Sequence, residues 1–145
     1  MTLAACGTPS TSNNPEATAK PEVIELTQTG CQFLETEAKD YEFTTAKKAD
    51  CEAINAETLS DRQGDFETLE LKAGSYVFRV TNKNVPYELG FYLRGKGAAK
   101  VSLPKVSGGG LTEGETQDYE ISLRPGKYLF SCPLNSTPDY EIVVN

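Results

Sequence analysis

Apolar and polar residues alternate along most of the chain after Pro21, with turn residues between the alternating runs. Alternation with a period of two puts every second side chain on one face, as in a strand that buries one face. The runs that predict strands are residues 23–27, 69–72, 76–81, 87–94, 101–104, 119–124, 127–132 and 140–144. Seven or eight short strands at this spacing predict an all-β fold, a Greek-key β-sandwich.

Two segments depart from this alternation. Residues 34–66 are rich in Glu, Lys, Ala and Asp, and residues 48–60 within them have a helical composition. We therefore expect an insertion that carries one short helix and packs on a side of the sandwich. Residues 107–110 read Ser-Gly-Gly-Gly and predict a flexible loop.

The first twenty residues predict a leader rather than folded structure. Residues 3–7, Leu-Ala-Ala-Cys-Gly, resemble a bacterial lipobox, in which the cysteine (here Cys6) is lipidated. Residues 1–6 are then a truncated lipoprotein signal. Residues 7–20 are rich in Thr, Ser, Asn, Pro and Ala, a composition typical of a flexible tether. The folded domain is expected to be residues 21–145, outside the cytoplasm and held to a bacterial membrane by lipid.

Charge and length narrow the possible partners. The chain has 145 residues, a net charge of −7 and a sequence pI of about 4.7. Phosphate binding needs a basic face, so this acidic balance argues against nucleic acid and against an anionic membrane surface as partners. We expect the membrane to be reached only through the lipid anchor. The length suits one domain with a hydrophobic core.

The last twenty residues carry a resemblance to a known family. Residues 126–145 read GKYLFSCPLNSTPDYEIVVN, with Gly126, Tyr128, Phe130 and Cys132 at alternate positions before a loop and a β-branched final strand. This pattern resembles the closing hairpin of cupredoxins such as plastocyanin. Residues 85–91 resemble the family's strand that brings the first copper histidine, and residues 71–82 resemble one of its hairpins.

The resemblance implies a copper site whose ligands this chain lacks. A blue-copper centre uses two imidazoles, a thiolate and a weak axial ligand such as Met. The chain has no histidine, and its only methionine is Met1. The position of the first histidine holds Tyr87, or Glu88 if the register shifts by one, and that of the second holds Asn135. Of the four ligands only Cys132 remains, so no cofactor is expected.

A second resemblance is to the small cupredoxin-like domain of imelysin-type periplasmic iron-uptake proteins. There a cysteine after the first strand faces one in the last hairpin, as Cys31 and Cys132 would here. That layout implies a Cys31–Cys132 disulfide. The alternative pairing is Cys31–Cys51, which would close the insertion. A thiol set made of all three cysteines, suited to a soft metal, remains a third possibility.

Other candidate ligands are few. Three side chains are candidates for holding a metal ion: Tyr87, Glu88 and Cys132. Alternatively, Glu88 belongs to the solvated face of a strand. The alternative for Tyr87 is that its ring fills the space of the missing copper site. The absence of histidine excludes Ser-His-Asp and Cys-His catalysis.

We therefore expect a non-enzymatic binding or accessory module that contacts another protein at the end formed by Tyr87, Cys132 and Asn135. The alternative function is periplasmic handling of iron or copper by carboxylates and thiolates.

Overall fold

The computed structural model describes residues 20–145. The predicted signal, the lipidation site Cys6 and all of the predicted tether except Lys20 lie outside these residues. In the described part, two β-sheets pack face to face, with one α-helix beside them. None of the helices found there is long and apolar enough to cross a bilayer.

The elements follow one another in this order: β1 (Glu22–Thr29), β2 (Gln32–Phe33), α1 (Lys48–Arg62), a 3₁₀ turn (Gln63–Asp65), β3 (Leu69–Leu71), β4 (Gly74–Asn82), β5 (Leu89–Gly95), a 3₁₀ helix (Gly97–Val101), β6 (Val106–Leu111), β7 (Thr116–Leu123), β8 (Gly126–Ser131) and β9 (Tyr140–Val144). One sheet has the order β2-β1-β4-β7 and the other β3-β9-β8-β5-β6. The pairs β1–β4 and β3–β9 are parallel, and the remaining pairs are antiparallel.

The core lies between the two sheets and follows the alternation read from the sequence. Along β4 the side chains of Tyr76, Phe78 and Val80 are buried and those between them are less so. Aromatic rings from both sheets meet in the middle. Phe33 packs edge-on against Phe130 with ring centroids 5.0 Å apart. Such contacts add to the burial of apolar area that holds the sheets together.

Two local predictions are wrong. Residues 107–110 lie in β6 although glycine disfavours strands. Ser107 and Gly108 pair with β5, and beyond a local irregularity Gly110 N donates to the Glu88 carboxylate. Residues 101–104, predicted as a strand, instead comprise the last residue of a 3₁₀ helix, Val101, and the turn that follows it. β6 is one of the two edge strands of the five-stranded sheet.

The insertion forms the predicted helix, α1, which extends two residues beyond the predicted end, to Arg62. Only Cys51 and Arg62 are buried in α1. Its aliphatic side chains Ile54 and Leu59 are half-buried and do not belong to the core. The helix is therefore held mainly by a cross-link at Cys51, a charged side chain at Arg62 and a hydrogen bond from Asn55 Nδ2 to Ser136 O (2.6 Å).

Candidate functional site

The loop between β4 and β5 brings Tyr87 to one end of the sandwich, and the buried side chain of Asn82 shapes this loop. The Asn82 side-chain oxygen accepts from Val85 N (2.8 Å), and its nitrogen donates to the carbonyls of Val85 and Leu111 (3.1 Å each). Because these bonds satisfy a buried amide, they fix the loop in one conformation. Tyr87 itself lies just before β5, which begins at Leu89.

The loop after β8 brings Cys132 and Asn135 to the same end. Cys132 N donates to Thr137 Oγ1 (2.9 Å), and Cys132 O accepts from Asn135 N (3.1 Å). These bonds turn the chain back at once, so that Asn135 points into the molecule with no exposed surface. We call the end defined by Tyr87, Cys132 and Asn135 the loop end.

Asn135 is the hub of the loop end. Its Oδ1 atom accepts from Cys31 N (3.1 Å) and lies 3.3 Å from the Tyr87 hydroxyl. Its Nδ2 atom donates to Thr29 O (2.8 Å) and Gln28 Oε1 (3.2 Å). All hydrogen-bonding positions of this amide are used by the protein. The result is a closed polar network between β1 and the loop after β8.

The sulfur atoms surround this hub. Cys31 and Cys51 form a disulfide, so the predicted Cys31–Cys132 pairing is wrong and the alternative pairing is the one present. The error has a physical reason, because α1 brings Cys51 next to Cys31 at the loop end. The Cys132 sulfur instead lies inside the sandwich, where it accepts from Gly90 N. Cys51 Sγ is 3.2 Å from Asn135 Oδ1, a contact without a proton because the sulfur is oxidised.

Cys132 is a free thiol with no exposed surface. Gly90 N donates to its sulfur over 3.3 Å. Burial raises the pKa of the Cys132 thiol, and backbone N–H groups of Gly90, Asn135 and Leu134 oppose this rise. Gly90 is required at this contact, since a Cβ there would lie 2.4 Å from Gly108 O. The thiol is therefore protonated and shielded at neutral pH.

The predicted metal candidates do not converge. The Tyr87 hydroxyl is 3.1 Å from Thr45 Oγ1, in the insertion, and burial raises the pKa of this phenol. The Glu88 carboxylate instead accepts from Gly110 N (2.6 Å). Among residues 20–145 no three His, Cys, Asp or Glu side chains come together as metal ligands would.

A blue-copper ion does not fit the groups at the loop end. The chain supplies no imidazole, and the lone pairs of the Asn135 amide oxygen are turned toward Cys31 and Tyr87. A trigonal site needs two nitrogen donors beside the thiolate. Cys132 faces a backbone N–H and an amide network instead.

A shallow groove lies beside the loop end. It has a volume of about 410 Å³ and is lined by residues of β5, β6 and the loop after β8, namely Gly90, Phe91, Tyr92, Ser107, Gly108, Gly109, Pro133 and Leu134. Its surface is mostly apolar, and Leu134 at its rim is 41% exposed. No sequence motif indicates this groove, because three of its eight lining residues are glycines and the others come from three separate segments of the chain. We call it the Leu134 groove.

These features define a cupredoxin-type β-sandwich, as the resemblance implied. No protein-family model matches the chain, and no characterised protein matches it by sequence. Among solved structures it is similar to auracyanin B, with a TM-score of 0.53 and 12% identity over 88% of this chain and 92% of that one. An identity this low shows the fold alone.

Two larger proteins also match. They are a laccase from Pediococcus acidilactici (TM-score 0.45, 12% identity, 100% of this chain and 31% of that one) and Lac15 from a marine microbial metagenome (TM-score 0.43, 15% identity, 99% and 32%). The chain thus spans about a third of their length, and scores this low carry no argument about what the chain does.

Proposed function

We propose that this protein is a non-catalytic binding module that works outside the cytoplasm, tethered by a lipid on Cys6, and that uses a cupredoxin-type sandwich without a blue-copper centre. The observation that carries the proposal is the closed network of Asn135. Its bonds to Cys31, Gln28 and Tyr87 occupy the place that the cupredoxin resemblance assigns to copper ligands.

The working surface in this proposal is the loop end, with the Leu134 groove as its exposed part. Cys132 and Asn135 are buried and cannot touch a partner directly, whereas Leu134 is exposed. A rigid surface with an apolar centre is typical of protein–protein contacts. We expect another protein to bind here, with Cys132 and Asn135 supporting the surface from below.

The extracytoplasmic location rests on the disulfide and on the lipobox-like residues 3–7. The Cys31–Cys51 bond is fully buried, and disulfides persist mainly in oxidising compartments. A lipid-attachment assay tests the tether: incorporation of a labelled fatty acid into the full chain should be lost in the Cys6→Ser variant and kept in Cys132→Ser. Equal labelling of both variants would refute lipidation at Cys6.

Metal analysis tests the function. Full-length protein purified without chelators should carry less than stoichiometric copper and iron. A stoichiometric metal ion that is lost in Cys132→Ser would overturn the proposal and support the alternative of metal handling.

Site-specific photo-crosslinking in intact cells tests the docking surface. A photoreactive residue in place of Leu134 should capture a discrete partner, and the same residue at the exposed Glu120, on the outer face of β7, should not. Equal capture at both positions would remove the Leu134 groove from the proposal.

A further inference from the structure

Basic side chains gather at the end of the sandwich opposite the loop end. At this end β1, β4 and β8 begin and β7 finishes, and we call it the entry end because residue 20 enters the fold there. Lys96 N donates to Lys127 O (2.9 Å), and the Arg124 guanidinium donates to Ser102 O. Lys100 projects from the 3₁₀ helix between them. Lys96, Lys100, Arg124 and Lys127 form the basic patch.

The acidic residues of the chain are largely absent here. Residues 95–105, between the end of β5 and the start of β6, contain three basic side chains and no acidic one. Glu141 lies next to the patch and pairs with Lys96 (2.8 Å), which lowers the pKa of the Glu141 carboxyl. This pair cancels one positive charge, and Lys100, Arg124 and Lys127 supply the remaining positive charge of the patch. Glu22 stands at the start of β1. The entry end is thus locally positive on a protein whose net charge is −7.

The net charge does not cancel this patch. The nine residues of β4 run the length of the sandwich and span about 30 Å. Exposed charges are screened over about 8 Å at physiological ionic strength. A surface that touches the entry end is therefore affected by the basic patch and little by charges at the loop end. The net charge argues against anionic membranes for the chain as a whole, whereas the charge at this end favours them.

An exposed apolar side chain lies within the segment that carries Lys96 and Lys100. Val101 ends the 3₁₀ helix and is 93% exposed, more than any other large apolar side chain in the described part of the chain. Leu103 next to it instead turns inward onto Gly126. An apolar tip beside Lys100 and the Arg124 guanidinium is suited to the boundary between lipid headgroups and acyl chains, where the tip enters and the basic groups meet phosphates.

We propose that the entry end docks on an anionic phospholipid bilayer. This inference rests on the proposed membrane tether, because the chain enters at the same end and a lipid upstream of residue 20 would hold the patch toward the membrane. Docking would turn the loop end and the Leu134 groove away from the bilayer. The partner site would then face the space where soluble partners diffuse.

The test is vesicle binding of the unlipidated full-length chain carrying Cys6→Ser, so that docking is measured without the tether. The protein should cosediment with phosphatidylcholine vesicles that contain phosphatidylglycerol and not with phosphatidylcholine alone, and added salt should weaken binding. The double variant Lys100→Glu/Lys127→Glu should bind at least about 25-fold less, since each surface lysine contributes about fivefold. Val101→Ser should weaken binding without changing its salt dependence.

The matched control is Lys48→Glu/Lys83→Glu, which reverses two exposed lysines near the loop end and gives the same net charge. This variant should bind vesicles as the parent does. The inference is overturned if the parent shows no preference for phosphatidylglycerol, or if both double variants lose binding equally. The fatty-acid labelling of Cys6 is independent of this result, so failed docking and a failed tether are distinguishable.

Discussion

The Tyr87 hydroxyl lies 3.3 Å from Asn135 Oδ1, across the gap between the β4–β5 loop and the loop after β8. This contact joins the two segments that the cupredoxin resemblance makes responsible for copper ligands. It is part of a network in which the same amide binds Cys31 N and Gln28 Oε1. Neutral hydrogen bonds therefore hold the loop end together, and substitutions at their partners measure how much they contribute to the free energy of unfolding.

Replacing Asn135 with alanine should strongly destabilise the fold. The change leaves buried donors and acceptors of Cys31, Thr29 and Gln28 without partners, each of which costs about 1–3 kcal/mol. We expect a loss of about 3 kcal/mol or more in the free energy of unfolding, measured with urea. Tyr87→Phe, which removes one hydroxyl, should cost only about 1 kcal/mol. Equal losses in the two variants would contradict the role of Asn135 as hub.

The free thiol of Cys132 should make stability fall at alkaline pH. Burial raises the pKa of this thiol in the folded state above its unfolded value of about 8.5. The unfolded chain then releases the proton first, so unfolding becomes more favourable as pH rises above that value. Chemical denaturation from pH 7 to pH 10 should show a steeper loss for the parent than for Cys132→Ala. Parallel slopes would mean that the thiol is not shielded when folded.

The disulfide predicts both a mapping result and a stability loss. Peptide mapping after blocking free thiols should recover Cys31 linked to Cys51 and Cys132 blocked. The Cys31→Ala/Cys51→Ala variant should lose about 3 kcal/mol, the value for a loop of this length, and proteases should cleave within α1 far faster. In Cys132→Ala the helix should stay protected. A Cys31–Cys132 peptide would refute the arrangement of the loop end.

The other attachment of α1 is a buried ion pair. Arg62 donates to both oxygens of Glu37 (3.0 and 2.7 Å), and the Tyr140 hydroxyl donates to the same carboxylate (2.5 Å). Arg62→Met would leave the Glu37 carboxylate buried without its charged partner, so it should lower the free energy of unfolding by about 3–5 kcal/mol. Adding Glu37→Leu to this variant should restore much of the loss. If the double variant were no more stable than Arg62→Met, the cost would come from lost packing of the arginine instead.

The strands were predictable because burial of one face imposes a period of two. Along β4, β7 and β9 the alternation read from the sequence matches the burial that the structure shows. The helix was predictable from composition, but its last residue, Arg62, belongs to it for a tertiary reason: the guanidinium is neutralised by a carboxylate 25 residues earlier.

The site was less predictable because its parts meet only in three dimensions. The sequence identified Tyr87, Cys132 and Asn135, but it did not reveal that Asn135 and Cys132 would be fully covered. The disulfide was mispredicted since pairing depends on where α1 crosses the loop end. The basic patch is formed by residues 96–100 and residues 124–127, which are distant in the sequence and adjacent in the fold. The distribution of charge along the chain therefore does not predict it.

The way in which α1 is fastened ties the covering of Asn135 to the redox state of the surroundings. The helix adds nothing to the hydrophobic core, and the Cys31–Cys51 bond and the buried Arg62–Glu37 pair are among the contacts that hold it. Neither cysteine of this disulfide lies in a strand, so reduction leaves the pairing of the two sheets intact. We therefore expect a reductant to loosen α1 at a concentration that leaves the sandwich folded.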